Sequence, residues 1–393
     1  MKDKIAVVGL GAAGLPLAAV IASNNIDVIG VDIDAKKCEL INSGVNPLPE
    51  EPGLHDLIKE YGGGKLKAST NYTDAASCNV YIIIVPLFID ENHMPDYKHL
   101  QKAVKNISEV LKRGDIVVVE TTVPPYTTET LIKKWLEEGA NLKLGDFYLA
   151  CSPERIMTGY SLSRLKEFPK VVGGVDSESG LKAYDVYKQF IPKIKLVSSA
   201  RVAEFIKIIE GCYRDVNIAL ANELFKIASI LEVDFNEARE YANHAYCNIH
   251  LPSTGVGGHC IPYYPWFLIK EVERRGFYNY SNLLKTARVI NDEMVYYWVN
   301  VILENCLKIN KPLNQVKICI KGITFRKGIK STHYSRNMKI AEILKDKGFN
   351  VYVFDEMLSK KEIESLGFNQ LQPDLADLVF DSFKLEIKIN ARA

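Results

Sequence analysis

Residues 4–32 limit what this chain can fold into more than any other stretch. Residues 4–8 are a short β-branched run, and Gly9-Leu10-Gly11-Ala12-Ala13-Gly14 follows at once. Residues 15–23 read as an apolar helix with Pro16 in its first turn, where proline is tolerated. A second strand, 27–31, ends at Asp32, 21 residues past Gly11. A lone G-x-G-x-x-G is a weak signal. Between a strand and a helix, with an acid closing the next strand, it is a strong one. Gly9, Gly11 and Gly14 allow a tight turn and close approach of a pyrophosphate to the helix N-terminus. Asp32 is placed to accept hydrogen bonds from an adenosine ribose, which favours NAD over NADP. The competing reading is a glycine-rich turn that holds no ligand.

The strand–helix alternation continues. Residues 80–85 and 116–120 read as strands with a helix at 100–111 between them, and 147–151 as a further strand. Ligands of open parallel sheets sit beyond the C-terminal strand ends. That places Thr121, Thr122 and the following Ser152-Pro153-Glu154-Arg155 near the reactive end of a bound cofactor. Glu154 is therefore a candidate general base, weighed against the commoner fate of a solvated glutamate. The dinucleotide-binding domain is expected over 1–195.

From 200 to 231 the pattern becomes a single long helix, with apolar residues at Val202, Phe205, Ile209, Val216, Leu220, Ile227 and Leu231. A helix of this length outruns one domain, so it is expected to link two and to bury a face against another subunit, making a homodimer. Lys207 and Arg214 share one face, either as a solvated charged stripe or with the lysine aimed at a catalytic loop. A helical region at 283–307 carries Arg288, Asn291 and Asp292. A second strand–helix–strand unit then begins at 316–320, with its helix at 337–347 and its next strand at 351–354, ending at Asp355. The expected architecture is α/β: two Rossmann-like parallel-sheet domains joined by a central helical domain at 196–310, the last domain spanning 311–393. The end, 383–393, has no evident strand or helix partner.

Gly255-Val256-Gly257-Gly258-His259-Cys260-Ile261-Pro262 places one thiol after three glycines in four positions. Such a loop can present a cysteine to a substrate; the blander reading is a buried cysteine in a turn. The remaining numbers narrow the company this thiol keeps. With 49 basic and 48 acidic residues the net charge is +1, and no basic stripe suggests nucleic acid. The longest apolar run, 80–89, contains Pro86 and falls short of the ~20 residues a membrane span needs. Eight cysteines without paired spacing, and a start with no apolar leader, predict a reducing cytoplasm. His259 beside Cys260 cannot by itself build a tetrahedral metal site, so no metal is expected.

These segments together resemble the UDP-glucose/GDP-mannose dehydrogenase family, most of all its branch acting on UDP-N-acetylhexosamines such as UDP-N-acetylmannosamine. The matching residues are Val8-Gly9-Leu10-Gly11 with Gly14-Leu15-Pro16-Leu17-Ala18, Thr121-Thr122-Val123-Pro124, and Ser152-Pro153-Glu154-Arg155. Arg214-Asp215-Val216-Asn217-Ile218-Ala219, Gly255 to Pro262, and Pro265-Trp266-Phe267-Leu268 continue the match. The resemblance implies an NAD-binding domain, a central dimerisation domain and a UDP-binding domain. It implies a four-electron oxidation of the sugar C6 alcohol to a carboxylate with two NAD molecules. Cys260 would carry a thiohemiacetal and then a thioester, Glu154 would serve as base and Lys207 as a fixed positive charge. Thr122 would join the glycine loop in holding the cofactor. Arg155, Arg214, Asn217, Gly257 and Gly258 would contact the UDP-sugar.

Against that pattern the chain has Tyr264 where the family has an aspartate and Gly211 where it has an asparagine. His244-Ala245-Tyr246 replaces a histidine-proline-arginine, and His333 an arginine. Leu87-Phe88 replaces a threonine-proline pair, and Tyr126 a glycine. Three readings follow: a UDP-N-acetylhexosamine 6-dehydrogenase, a UDP-glucose 6-dehydrogenase, or a nucleotide-binding paralogue that does not complete the oxidation.

Overall fold

The computed structural model describes residues 3–156 and 159–390. Met1, Lys2, Met157, Thr158 and Ala391 to Ala393 lie outside the described residues, including the last three of the expected 383–393 tail. The chain divides into two compact units, Met1–Ile209 and Glu210–Ala393.

The first unit carries β1 (Lys4–Val8), β2 (Asp27–Val31), β3 (Leu66–Ser69), β4 (Val80–Ile83), β5 (Phe88–Ile89), β6 (Pro95–Asp96), β7 (Ile116–Val119), β8 (Tyr148–Cys151), β9 (Lys170–Gly174) and β10 (Ile194–Leu196). β5 and β6 pair only with each other; the rest form one sheet in the order β3-β2-β1-β4-β7-β8-β9-β10. Neighbours from β3 to β8 run parallel. Chain order therefore reverses between β1 and β4, where a doubly wound sheet opens its ligand crevice. β9 turns antiparallel to β8, and β10 runs parallel to β9. Strands β4 and β7 are apolar and buried along their whole length, as a sheet covered on both faces requires. Ile5, Val7, Ile82 and Val118 pack with Leu15, Leu17 and Ile21 of helix Gly14–Ser23 in one core. The strand expected at 80–85 stops at Ile83, because the Val85 N–H donates to the Thr121 hydroxyl at 3.0 Å rather than to a neighbouring strand.

Helix Ala200–Ile230, 31 residues, carries the chain from the first unit into the second. There helices Phe235–Ala242, Tyr264–Arg274 and Asn282–Cys306 precede a second sheet. Its strands are β11 (Lys317–Lys321), β12 (Asn350–Phe354), β13 (Asn369–Gln370), β14 (Leu378–Asp381) and β15 (Glu386–Ile389), in the order β13-β12-β11-β14-β15. The first four run parallel. Helix Asn282–Cys306 lays Met294, Trp298 and Ile302 on Ile318, Ile320 and Phe380, with Trp298 stacked on Phe380 at 4.9 Å between centroids. The architecture is α/β, with two parallel-dominated sheets and a helical central region. One expectation is corrected. The tail is not without a partner, since β15 pairs antiparallel with β14, Leu378 opposite Ile389. The tight turn uses Leu385 in a left-handed conformation (φ +58°), and β15 is a mostly exposed edge strand, so neither glycine nor an apolar run marks it in sequence.

Candidate functional site

The glycine loop after β1 fits a pyrophosphate residue by residue. Gly9 sits at φ +100°, and a β-carbon there would lie 2.5 Å from the Ile84 carbonyl oxygen across the β1–β4 crevice. A β-carbon on Gly14 would overlap the Gly9 carbonyl oxygen, so helix Gly14–Ser23 reaches the turn only without one. Gly11 faces open space, the free approach that a bound phosphate needs. Asp32 accepts from the Leu10 N–H at 2.8 Å and the Asp34 N–H at 3.0 Å, and pairs with Lys37 at 3.1 Å. The acid is therefore anchored to the loop it serves, and its remaining lone pairs are available to a ribose.

The same strand ends carry the next candidates. The Thr121 hydroxyl donates to the Val85 carbonyl at 2.8 Å and accepts from its N–H at 3.0 Å, tying the ends of β4 and β7. That fixes the peptide leading into half-buried Thr122. Ser152 N–H donates to Val119 at 2.9 Å and Glu154 N–H to Glu120 at 3.1 Å. The ladder thus continues past β8 and delivers half-buried Glu154 to the edge occupied by Thr121 and Thr122. Arg155 donates to the Pro169 carbonyl at 2.8 Å, with its guanidinium over Phe168. Lys207 is half-buried on the long helix.

Two buried groups near this edge escaped the sequence reading. Glu120 accepts from Lys170 and from the Tyr187 hydroxyl, each at 2.5 Å, all three buried. Burial and the Glu120 carboxylate push the Tyr187 phenol far above its usual value. Glu204 accepts the N–H groups of Tyr126 and Thr128, both at 2.8 Å, beneath the turn that follows Thr122. Burial raises its carboxyl to about 7 against the pull of those donors. The only sequence signal for Glu120 was an acid closing an apolar strand; Glu204 and Lys170 gave none.

In the second unit Cys260 is exposed, so the buried-turn reading of this thiol does not hold. Its carbonyl accepts from Tyr263 N–H at 3.2 Å and Tyr264 N–H at 3.1 Å, docking it on the start of helix Tyr264–Arg274. Gly255 (φ +111°) and Gly258 (φ +80°) hold left-handed backbone before it. β-Carbons on Gly257 and Gly258 would lie 3.0 Å and 3.1 Å from the Phe325 side chain, so the thiol loop rests on the loop that follows β11. The Tyr263 hydroxyl lies 3.3 Å from His333, whose ring faces His259 at 6.0 Å between centroids. Burial and the neighbouring His259 hold His333 below the usual histidine range. Arg214 is exposed on the long helix, and half-buried Asn217 gives its amide to the Tyr213 carbonyl at 2.7 Å.

A buried network supports this loop. Asp215 accepts from Arg288 at 2.6 Å and from Asn291 at 2.8 Å, and Asp292 pairs with both Arg288 and Arg336. Asn222 donates to Asn291 at 2.9 Å and accepts the Ser253 N–H at 2.7 Å, so helices Ala200–Ile230 and Asn282–Cys306 meet at the base of the loop.

Residues 3–191 match the NAD-binding domain of the UDP-glucose/GDP-mannose dehydrogenase family, and 201–293 match its central domain. A UDP-N-acetyl-D-mannosamine dehydrogenase of Pyrococcus horikoshii is 36% identical over 357 residues, 90% of this chain and 83% of that one. The solved structure of UDP-D-ManNAc dehydrogenase from Pyrococcus horikoshii is 34% identical with a TM-score of 0.86, covering 96% of this chain and 88% of that one. A solved UDP-glucose dehydrogenase from Pyrobaculum islandicum has a TM-score of 0.88 at 25% identity, covering 97% and 90%.

Proposed function

The chain belongs to the UDP-glucose/GDP-mannose dehydrogenase family, and from that premise we propose that it oxidises a UDP-N-acetylhexosamine, UDP-N-acetylmannosamine first among them, at C6 to the uronate. It is an NAD-dependent UDP-sugar dehydrogenase. The observation that carries the reading is an exposed thiol on a glycine loop, in a chain whose other unit holds an open, acid-anchored glycine cradle. Gly9, Gly11, Gly14 and Asp32 would hold the cofactor, with Thr122 beside them. Bound there, NAD would supply the oxidising power for both two-electron oxidations.

The chain's own residues do the rest. The Cys260 thiolate adds to the C6 aldehyde left by the first oxidation, forming the C–S bond of a thiohemiacetal. The second oxidation leaves a thioester on Cys260. Glu154 takes a proton from water as the water oxygen attacks the thioester carbon. The C–S bond then breaks, restoring the thiol and releasing the carboxylate. Lys207 opposes the negative charge on oxygen in each tetrahedral species. Arg155, Arg214 and Asn217, with the backbone of Gly257 and Gly258, are assigned to the UDP-sugar. The C-terminal domain, 311–393, whose Phe325 lies against the thiol loop, is assigned to the uridine diphosphate. The UDP-N-acetylhexosamine branch is preferred over UDP-glucose because the relative at 36% identity carries that name.

The test is to mix a Glu154→Gln variant with NAD and each of a panel of UDP-sugars, then map adducts by mass spectrometry. The native protein should turn over and produce NADH, and the variant should accumulate an acyl adduct on the Cys260 peptide. A native enzyme that turns over while the variant never traps an adduct rules out the thioester route. No NADH from any sugar leaves the non-catalytic paralogue.

A further inference from the structure

We propose that Tyr264 is a positioning residue for the thiol, and that it acts through a fitted pair with Gly211: an aromatic ring seated in a side-chain-free notch of the long helix. This rests on Cys260 being the nucleophile.

Gly211 lies in the interior of helix Ala200–Ile230, where glycine is ordinarily a cost relative to alanine. The notch explains it. A β-carbon on Gly211 would lie 2.5 Å from Tyr264 Cδ2, 3.1 Å from its Cβ and 3.2 Å from its Cγ. Turning the ring can relieve the contact at Cδ2 but not the one at Cβ, which its own torsions leave in place. The start of helix Tyr264–Arg274 would therefore have to give by a few tenths of an ångström as well. That start is also where Cys260 is held, through the Tyr264 N–H donating to the Cys260 carbonyl at 3.1 Å. Pro265 follows immediately and fixes its own φ, and the Tyr264 ring packs on Phe267 at 6.0 Å between centroids. Notch, ring and thiol peptide are therefore consecutive rigid links.

The two departures from the family pattern thus become a single change. An asparagine at 211 has no room beside the ring, and an aspartate at 264 leaves the notch empty. Gly211 cannot gain a side chain without shifting the loop that carries the thiol, and position 264 needs a ring to fill the notch.

Four variants of the full chain test this: Gly211→Ala, Tyr264→Ala, the double variant and Tyr264→Phe. Three readouts are taken: melting temperature, the alkylation rate of the Cys260 peptide by iodoacetamide, and kcat against KM where turnover is present. In an unobstructed helix Gly211→Ala would raise the melting temperature. Here it should lower it, change the alkylation rate and cut kcat roughly tenfold to a hundredfold through misplacement of the nucleophile, with NAD affinity unchanged. The double variant should recover the melting temperature, since the new methyl enters the space the ring vacates. Tyr264→Phe keeps the ring and should keep the native alkylation rate. A Gly211→Ala protein that melts higher with unchanged alkylation overturns the proposal, as do strictly additive effects in the double variant. Melting and alkylation need no substrate, so a protein that shows the coupling but oxidises no UDP-sugar sinks the enzymatic reading and leaves the fitted pair standing.

Discussion

Tyr126 holds φ at +78°, where a β-carbon crowds the following carbonyl at a cost of roughly 1–2 kcal/mol. A glycine would bear no such strain, so something must favour the ring. The Arg201 guanidinium lies 3.7 Å from the ring centroid and is held there by Glu129, its Nε 3.2 Å from the carboxylate. Such stacking contributes about 1 kcal/mol at a partly exposed site. The Tyr126 N–H is meanwhile fixed on Glu204 at 2.8 Å, so the backbone cannot relax out of the left-handed region. Strain and stacking nearly offset. Tyr126→Gly removes both and should change stability by less than about 1 kcal/mol. Tyr126→Ala keeps the strain and loses the stacking, and should melt below both other proteins. Calorimetry of the three decides it: an alanine variant as stable as the native protein would show that the arginine contributes nothing, and one as stable as the glycine variant that the left-handed backbone costs nothing.

At the scale of elements, the sequence was most informative where periodicity and glycine acted together. Strands β1 and β2 fall where the β-branched runs and the glycine fingerprint place them, and helix Asn282–Cys306 lies within a residue of its apolar pattern. What it hid were partnerships across the fold. Glu120, Lys170 and Tyr187 come from three distant segments, and each alone reads as an ordinary surface or core residue. The pairing of Gly211 with Tyr264 is equally invisible until the long helix meets helix Tyr264–Arg274. That long helix also bears an apolar stripe the described chain leaves open: Val202, Phe205, Ile209, Leu220, Ile227 and Ile230 are all more than a third exposed. At 1.5 Å per residue the stripe runs for roughly 40 Å, far more than isolated surface apolar residues explain. We propose that a second copy of the chain covers it. Sedimentation at micromolar concentration should give a dimer, and a Leu220→Glu/Ile227→Glu variant should shift toward monomer. A native monomer would end the proposal.

Across the whole molecule the two sheets begin alike and end differently. In the first, Gly9 N–H donates to Val31 at 2.8 Å and Leu10 N–H to Asp32 at 2.8 Å. In the second, Gly322 N–H donates to Phe354 at 2.7 Å and Ile323 N–H to Asp355 at 2.8 Å. Both glycines are left-handed, and both acids stand one residue past the second strand. The repeat, though, is open in one copy and closed in the other. Gly11 faces empty space with a helix starting three residues on, whereas its counterpart Thr324 is fully buried and the Phe383 ring lies against Gly322 in the crevice between β11 and β14. Asp355 is 3% exposed and already accepts from Ile323, Thr324 and the Thr324 hydroxyl, leaving little for a ribose. One dinucleotide should therefore bind per chain. Calorimetric titration should give a stoichiometry of one, with NADP binding more weakly than NAD. Asp32→Ala should lower NAD affinity about tenfold, the loss of roughly one good hydrogen bond. Asp355→Asn should leave NAD affinity alone and instead lower the stability of the second unit by on the order of 2 kcal/mol, because it replaces a buried acceptor oxygen by an NH2 donor that faces other N–H groups. Two NAD molecules per chain, or equal losses of affinity in the two variants, would mean that the Phe383 crevice opens and both halves bind.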